Sequence, residues 1–102
     1  MPRLTLAPAF TRWLDPASPA ATVGGSADEV VLAVRGGTVR EVLEAGFALH
    51  PRLRSYVLDE RGALRHHVVL FVDGAALVDK ANQAQPVEPH AQLYLMQALS
   101  GG

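Results

Sequence analysis

The chain contains no cysteine. A disulfide scaffold, a thiol nucleophile and a cysteine-ligated metal are excluded together. If the protein handles sulfur, it must do so on another group. No run of about 18 apolar residues is present, which excludes a membrane-spanning helix. Nor is there a charged n-region followed by an apolar h-region at the N-terminus, so no secretory signal is expected and the cytoplasm is the expected location. The nine basic side chains and ten acids are spread along the sequence with a net charge of −1. Without a basic block there is nothing to bind a phosphate backbone, and nucleic acid is not an expected partner.

What is present describes a small globular protein. At 102 residues, 49% hydrophobic and 19% charged, the chain supports one modest core, so residues 1–102 are expected to form a single domain. Alternation over residues 3–7 predicts a first strand. Residues 8–27 carry Pro8, Pro16, Pro19, Gly24 and Gly25 and are expected to be an irregular insertion. Its Phe10, Trp13 and Leu14 are expected to pack the insertion onto the domain, with partner binding as the alternative. Residues 29–35 predict a second strand with Val30, Leu32 and Val34 on one face. The pairs Gly24-Gly25 and Gly36-Gly37 read as turns, since no Gly-Lys-Ser/Thr follows either and no helix-opening GxGxxG exists.

The clearest helix runs from Thr38 to about Leu49. Thr38 and Glu41 have the spacing of a capping box. Val39, Val42, Leu43, Gly46, Phe47 and His50 make one stripe. Glu41 and Glu44 lie off it, as a solvated face, and Pro51 is expected to stop the helix. Leu53 to Leu58 read as a short helical turn or an extended segment. Residues 59–62 form a turn, and residues 67–72 the strongest strand. Asp73-Gly74 is a favoured hairpin turn, and residues 75–78 return as a short strand. Gln92 to Leu99 predict a last strand, with Leu93 and Leu95 on one face and Tyr94 and Met96 on the other. One amphipathic helix laid across a mixed sheet of four to five strands is a two-layer α+β architecture.

After this last strand the sequence ends Ser100-Gly101-Gly102. Two terminal glycines arise by chance in roughly 0.5% of chains, so they carry little alone. Yet a tail without side chains can thread a narrow channel and present its carboxylate in another protein's site. The working group is therefore expected to be the Gly102 carboxylate, on a flexible tail of residues 100–102.

From about Asp28 onward the residues resemble the ubiquitin-like sulfur carriers of the MoaD/ThiS type. These are the small subunit of molybdopterin synthase, the thiamine-thiazole sulfur carrier and their relatives. The resemblance is carried by residues 38–43 and 50–53 at the two ends of the helix, by residues 58–65 and 67–74, and by the tail at 98–102. It implies a β-grasp fold. It implies that the chain is a carrier and not an enzyme. A ubiquitin-activating-type enzyme with ATP and magnesium would adenylate the Gly102 carboxylate, and a persulfide or rhodanese-type donor would supply sulfur to give a thiocarboxylate. A downstream synthase would consume it. Gly101 would thread the channel, and Leu99 and Ser100 would be bound at it. No cofactor would be bound to the chain itself. The stretch 58–74 ranks molybdopterin and cysteine synthesis above thiamine synthesis and tRNA thiolation. Glu88-Pro89-His90-Ala91 stands where the family usually has an acidic-glycine turn.

Alternatives stand beside this reading. Tyr94 and Met96 are a partner-binding patch or a half-covered face shielded by the insertion. His66 and His67 on a strand would face opposite ways, so no metal site is expected. The chain is alternatively a ubiquitin-like protein modifier or a non-catalytic interaction module. Lys80 is the only lysine, which leaves a self-linking modifier one attachment point besides its N-terminus and mildly favours sulfur carriage.

Overall fold

A computed structural model describes residues 1–13, 22–24, 30–77 and 83–97; for residues 11–13 and 22–24 it describes the backbone alone. Among these residues nine elements follow one another: β1 (Arg3–Leu6), a 3₁₀ helix (Pro8–Trp13), β2 (Thr22–Gly24), β3 (Val30–Ala33), α1 (Val39–Leu49), α2 (Pro51–Val57), β4 (Val68–Val72), β5 (Ala75–Ala76) and β6 (Gln92–Gln97). The strands form one sheet in the order β2-β3-β1-β6-β4-β5. β1 and β6 are parallel neighbours, with Leu4 opposite Leu93 and Leu6 opposite Leu95. The other pairings are antiparallel.

Strand alternation sorts the sheet into two faces. Leu4, Leu6, Leu32, Leu70, Leu93 and Leu95 lie on one face and are completely or almost completely buried. α1 covers them with the expected stripe: Val39, Val42, Leu43, Gly46, Phe47 and His50 are all buried. Full burial of each aliphatic side chain contributes about 1.5–3 kcal/mol, which makes this interface the main source of stability.

The start of α1 differs from a reciprocal capping box. Thr38 Oγ1 accepts from the Glu41 N–H at 3.2 Å, but Glu41 Oε1 accepts from the Gly37 N–H at 2.7 Å, one residue beyond the expected partner. Gly36 lies directly beneath this turn. A Cβ there would sit 2.7 Å from the Val42 nitrogen and 2.8 Å from Val42 Cγ2, a clash with backbone that requires glycine. The sequence places this glycine in a turn; its role is the close approach of the connection after β3 to the first turn of α1.

α1 ends before Pro51 as expected, and of the two readings of residues 53–58 the helical one holds, because Pro51 occupies the first turn of α2, where its missing N–H costs nothing. His50 joins the two helices: its N–H donates to the Gly46 carbonyl and its carbonyl accepts from the Leu53 N–H, both at 3.0 Å. The insertion at 8–27 contains ordered elements, the 3₁₀ helix and β2, and β2 raises the sheet to six strands. Phe10 packs inward as expected and is fully buried; the Trp13 side chain and Leu14 lie outside what is described. His66 and His67 stand in a turn before β4 and not on a strand. Their rings meet edge to face at 5.9 Å, so they do not face opposite ways. Among the described residues no group of three or more His, Asp or Glu could hold a metal ion.

Asp73-Gly74 forms the expected hairpin turn, with φ of 49° and 87°. Both residues are in the left-handed region that this turn demands and that Asp and Gly tolerate.

Candidate functional site

The candidate site is the end of β6 and the outer sheet face beside it. β6 is an interior strand, hydrogen-bonded to β1 on one side and β4 on the other. Its start is clamped. The Asp73 carboxylate accepts from the Gln92 N–H at 2.9 Å, and the Asp73 N–H donates to the Gln92 carbonyl at 2.8 Å. A tight turn at residues 88–91, closed by the Ala91 N–H donating to the Glu88 carbonyl at 3.0 Å, feeds the strand. It serves where a glycine turn was expected. The clamp was not visible in the sequence, because it depends on the register between β4 and β6.

At its far end β6 is held as firmly. The Ala7 N–H donates to the Leu95 carbonyl at 3.0 Å, and Gln97 lies opposite Val68. The Tyr56 hydroxyl donates to Gln97 Oε1 at 3.5 Å, a long bond. Tyr56 in turn touches Phe10, ring centres 5.5 Å apart, and His67, 5.3 Å apart. This aromatic collar links the 3₁₀ helix, α2 and the turn before β4 around the point where β6 ends. Sequence reasoning missed Tyr56, His67 and Gln97 as neighbours, because they come together only through tertiary packing.

The expected site residues fall in two groups. Gly102, Gly101, Ser100 and Leu99 lie outside the described residues. Tyr94 and Met96 are described, and they lie where alternation put them, half-buried on the face away from α1. Cross-strand register sets Tyr94 between Thr5 and Phe71, with Val31 next in the row beyond Thr5. Met96 lies opposite Val69. All six residues of this group are half-buried. They form a largely apolar band across the centre of the sheet, with Tyr94 and Met96 also packed against the core.

The domain has close structural counterparts. Small archaeal modifier protein 1 from Haloferax volcanii superimposes with a TM-score of 0.68 at 22% identity, over 99% of this chain and 98% of that one. CysO from Mycobacterium tuberculosis gives a TM-score of 0.73 at 12% identity, over 97% of this chain and all of that one. A chain of the BexX/CysO complex from Amycolatopsis orientalis gives 0.63 at 17% identity, over 97% and 99%. This is a ubiquitin-like β-grasp domain. At these identities the likeness establishes the fold. No protein-family model and no curated protein matches the sequence. The β-grasp domain carries two features with chemical potential: an interior strand that leads in sequence toward Gly102, and an apolar band beside it on the face away from α1. No helix among its described residues is long and apolar enough to cross a membrane.

Proposed function

We propose that this β-grasp domain is a sulfur carrier, with the Gly102 carboxylate as the group that is charged. The observation that carries the reading is the course of β6. A strand secured on both sides leads, within five residues, to Ser100-Gly101-Gly102. The resemblance to MoaD/ThiS-type carriers over residues 28–102 and the fold shared with CysO support it.

The chemistry follows from the weakness of a carboxylate as an electrophile. Its negative charge repels nucleophiles, and oxide is a poor leaving group. A ubiquitin-activating-type enzyme using ATP and magnesium adenylates the Gly102 carboxylate and releases pyrophosphate. The terminal sulfur of a persulfide or rhodanese-type donor then displaces AMP to give an acyl disulfide, and a second thiol attacks the donor's sulfur, forming a disulfide and releasing the Gly102 thiocarboxylate. Splitting one difficult substitution into two easier ones is the logic of covalent catalysis. The enzyme must surround the developing charge with fixed donors in a dry pocket. Gly101 and Gly102 admit bare backbone to that pocket, while Leu99 and Ser100 contact its entrance. Tyr94 and Met96 supply the apolar contact by which the enzyme and the downstream synthase hold the domain. The chain is thus a substrate carried between enzymes and not a catalyst. Molybdopterin and cysteine synthesis rank ahead of thiamine synthesis as the destination, in a cytoplasmic setting.

A second reading has its own support, since one counterpart is a small archaeal modifier protein. A modifier uses the same adenylated carboxyl but forms an isopeptide bond to a lysine of another protein.

Intact mass of the protein isolated from its native cell separates the two. A carrier has a population heavier by the difference between a sulfur and an oxygen atom. A modifier appears joined to other proteins through Gly102. Deletion of Gly102 is expected to abolish adenylation in both cases. Normal function of that variant would sink both.

A further inference from the structure

We infer that Tyr56 is a positioning residue for the tail. Its hydroxyl, carried on a ring packed between Phe10 and His67, fixes Gln97, and with it the line along which the chain leaves the body toward Gly102. The inference rests on the carrier reading above and deepens it. A carboxylate that must enter another protein's site depends on where its chain departs.

The need for such a residue comes from the ladder itself. The parallel pairing with β1 ends at Leu6 and Leu95, and the Ala7 N–H closes it on the Leu95 carbonyl at 3.0 Å. Pro8 then starts the 3₁₀ helix and has no N–H to offer. Among the described residues, Met96 and Gln97 therefore pair with β4 alone. β4 itself begins at Val68, opposite Gln97, and the Val68 N–H is turned to the Arg65 carbonyl at 2.9 Å. Both neighbours of β6 run out over its last two residues. Strand ends with little support fray, and Gln97 is exposed. A further hold on Gln97 must come from outside the sheet.

α2 supplies it. Leu53 and Val57 are fully buried and seat the helix, and Tyr56 beside them is half-buried. Its hydroxyl lies 3.5 Å from Gln97 Oε1, across 41 residues of sequence. A bond of that length is weak and would not order a loose side chain by itself. The ring, however, is already ordered. It meets the fully buried Phe10 edge to face, with centres 5.5 Å apart and planes at 75°. It meets His67 in the same manner, 5.3 Å apart at 67°. Edge-to-face contact is a favoured arrangement of aromatic rings, positive edge against negative face. His66 extends the row through His67 at 5.9 Å. The rotamer entropy of Tyr56 is spent in this packing, so its bond to Gln97 adds little ordering cost.

Packing alone does not account for the hydroxyl. A phenylalanine would make the same two ring contacts, and the oxygen approaches an exposed side chain, where it covers no core. Its contribution is directional. From Gln97 the five residues to Gly102 span at most about 17 Å. A change of direction at Gln97 is carried over that whole length to the carboxylate, and misplacement of a reacting group by about 1 Å costs a large factor in rate. Tyr56 acts through Gln97 and touches no reacting atom.

The first test needs no enzyme. Amide relaxation is measured on the full chain as wild type, Tyr56→Phe and Gln97→Leu. In both variants the fast motion of the Met96 and Gln97 amides is expected to rise, with Leu93 and Leu95 unchanged. Identical relaxation at Met96 and Gln97 in all three chains overturns the inference. The second test measures pyrophosphate exchange with the ubiquitin-activating-type enzyme of the same cell, ATP and magnesium. Each single variant is expected to lose about three- to tenfold in kcat, within the range one hydrogen bond supports, with KM unchanged. The double variant should lose no more than either single one, since both remove the same bond. Gln97→Glu keeps an acceptor for the hydroxyl and should retain the wild-type kcat. Unchanged kcat in the single variants, additive losses in the double one, or a change confined to KM overturns the positioning role while leaving the carrier reading intact. Absence of exchange with the wild-type chain overturns the carrier reading instead.

Discussion

The two faces of the sheet are built from the same strands, yet they do different work. On β6, Leu93 and Leu95 point into the core and are at most 1% exposed, while Tyr94 and Met96, one residue away, stay half-buried on the opposite side. The inner face is closed by α1 and gains its stability from tight packing. The outer face of the same backbone lies away from α1. The domain thus separates, at a spacing of one residue, the side chains that hold it together from those that meet a partner under the carrier reading. Changes on one face should leave the other's task almost untouched.

The sharpest way to break this division is Leu95→Ala. It removes a fully buried side chain beside Leu6 and Leu70 and is expected to cost about 2–5 kcal/mol, read as a fall in the midpoint of denaturant unfolding. A loss under about 1 kcal/mol would mean that the inner face is not the main source of stability.

Tyr94→Ala with Met96→Ala probes the other side. We expect a smaller cost in stability, about 1–2 kcal/mol, since both side chains are half-buried. Under the carrier reading their main effect is on affinity for the activating enzyme, which calorimetry at a temperature well below unfolding would measure. Unchanged affinity would remove the outer face from the docking surface.

The smallest effect lies away from both faces, at Asp59. Desolvation raises its pKa, but the N–H groups of Arg61 and Ala63, with the Arg61 charge, outweigh that and hold it below the ordinary 3.8. A carboxylate with a lowered folded pKa stabilises the native state above its unfolded pKa. That contribution is lost as the pH falls through the folded value. Asp59→Ala should therefore be slightly less stable than wild type at neutral pH, with the gap closing in acid below the ordinary carboxylate range. A gap that persists unchanged in acid would assign the effect to the turn geometry alone.

Much of the inner face was legible in the sequence, because its signals are local. The stripe from Val39 to His50 has helical spacing, β6 alternates, and Asp73-Gly74 specifies its turn by its own backbone preferences. Other features depend on partners distant in sequence. Pro51 reads as a helix stop, and only packing decides that a second helix begins there. β2 is three residues long in a stretch of turn formers, and its pairing with β3 carries no local signature. The parallel pairing of β1 with β6 joins strands that lie far apart in the sequence. Tyr94 and Met96 could be placed on a face from alternation alone. The collar of Phe10, Tyr56 and His67 around Gln97 could not, since it gathers residues from three elements.

The placement of β6 between β1 and β4 has a mechanical consequence. Tension applied at its C-terminal end runs along the strand, while the interstrand hydrogen bonds lie across it. Such a load shears the whole ladder together instead of peeling it bond by bond. An enzyme drawing the end of the chain into a tight passage would be pulling on one of the strongest lines in the molecule, and the body would follow without coming apart.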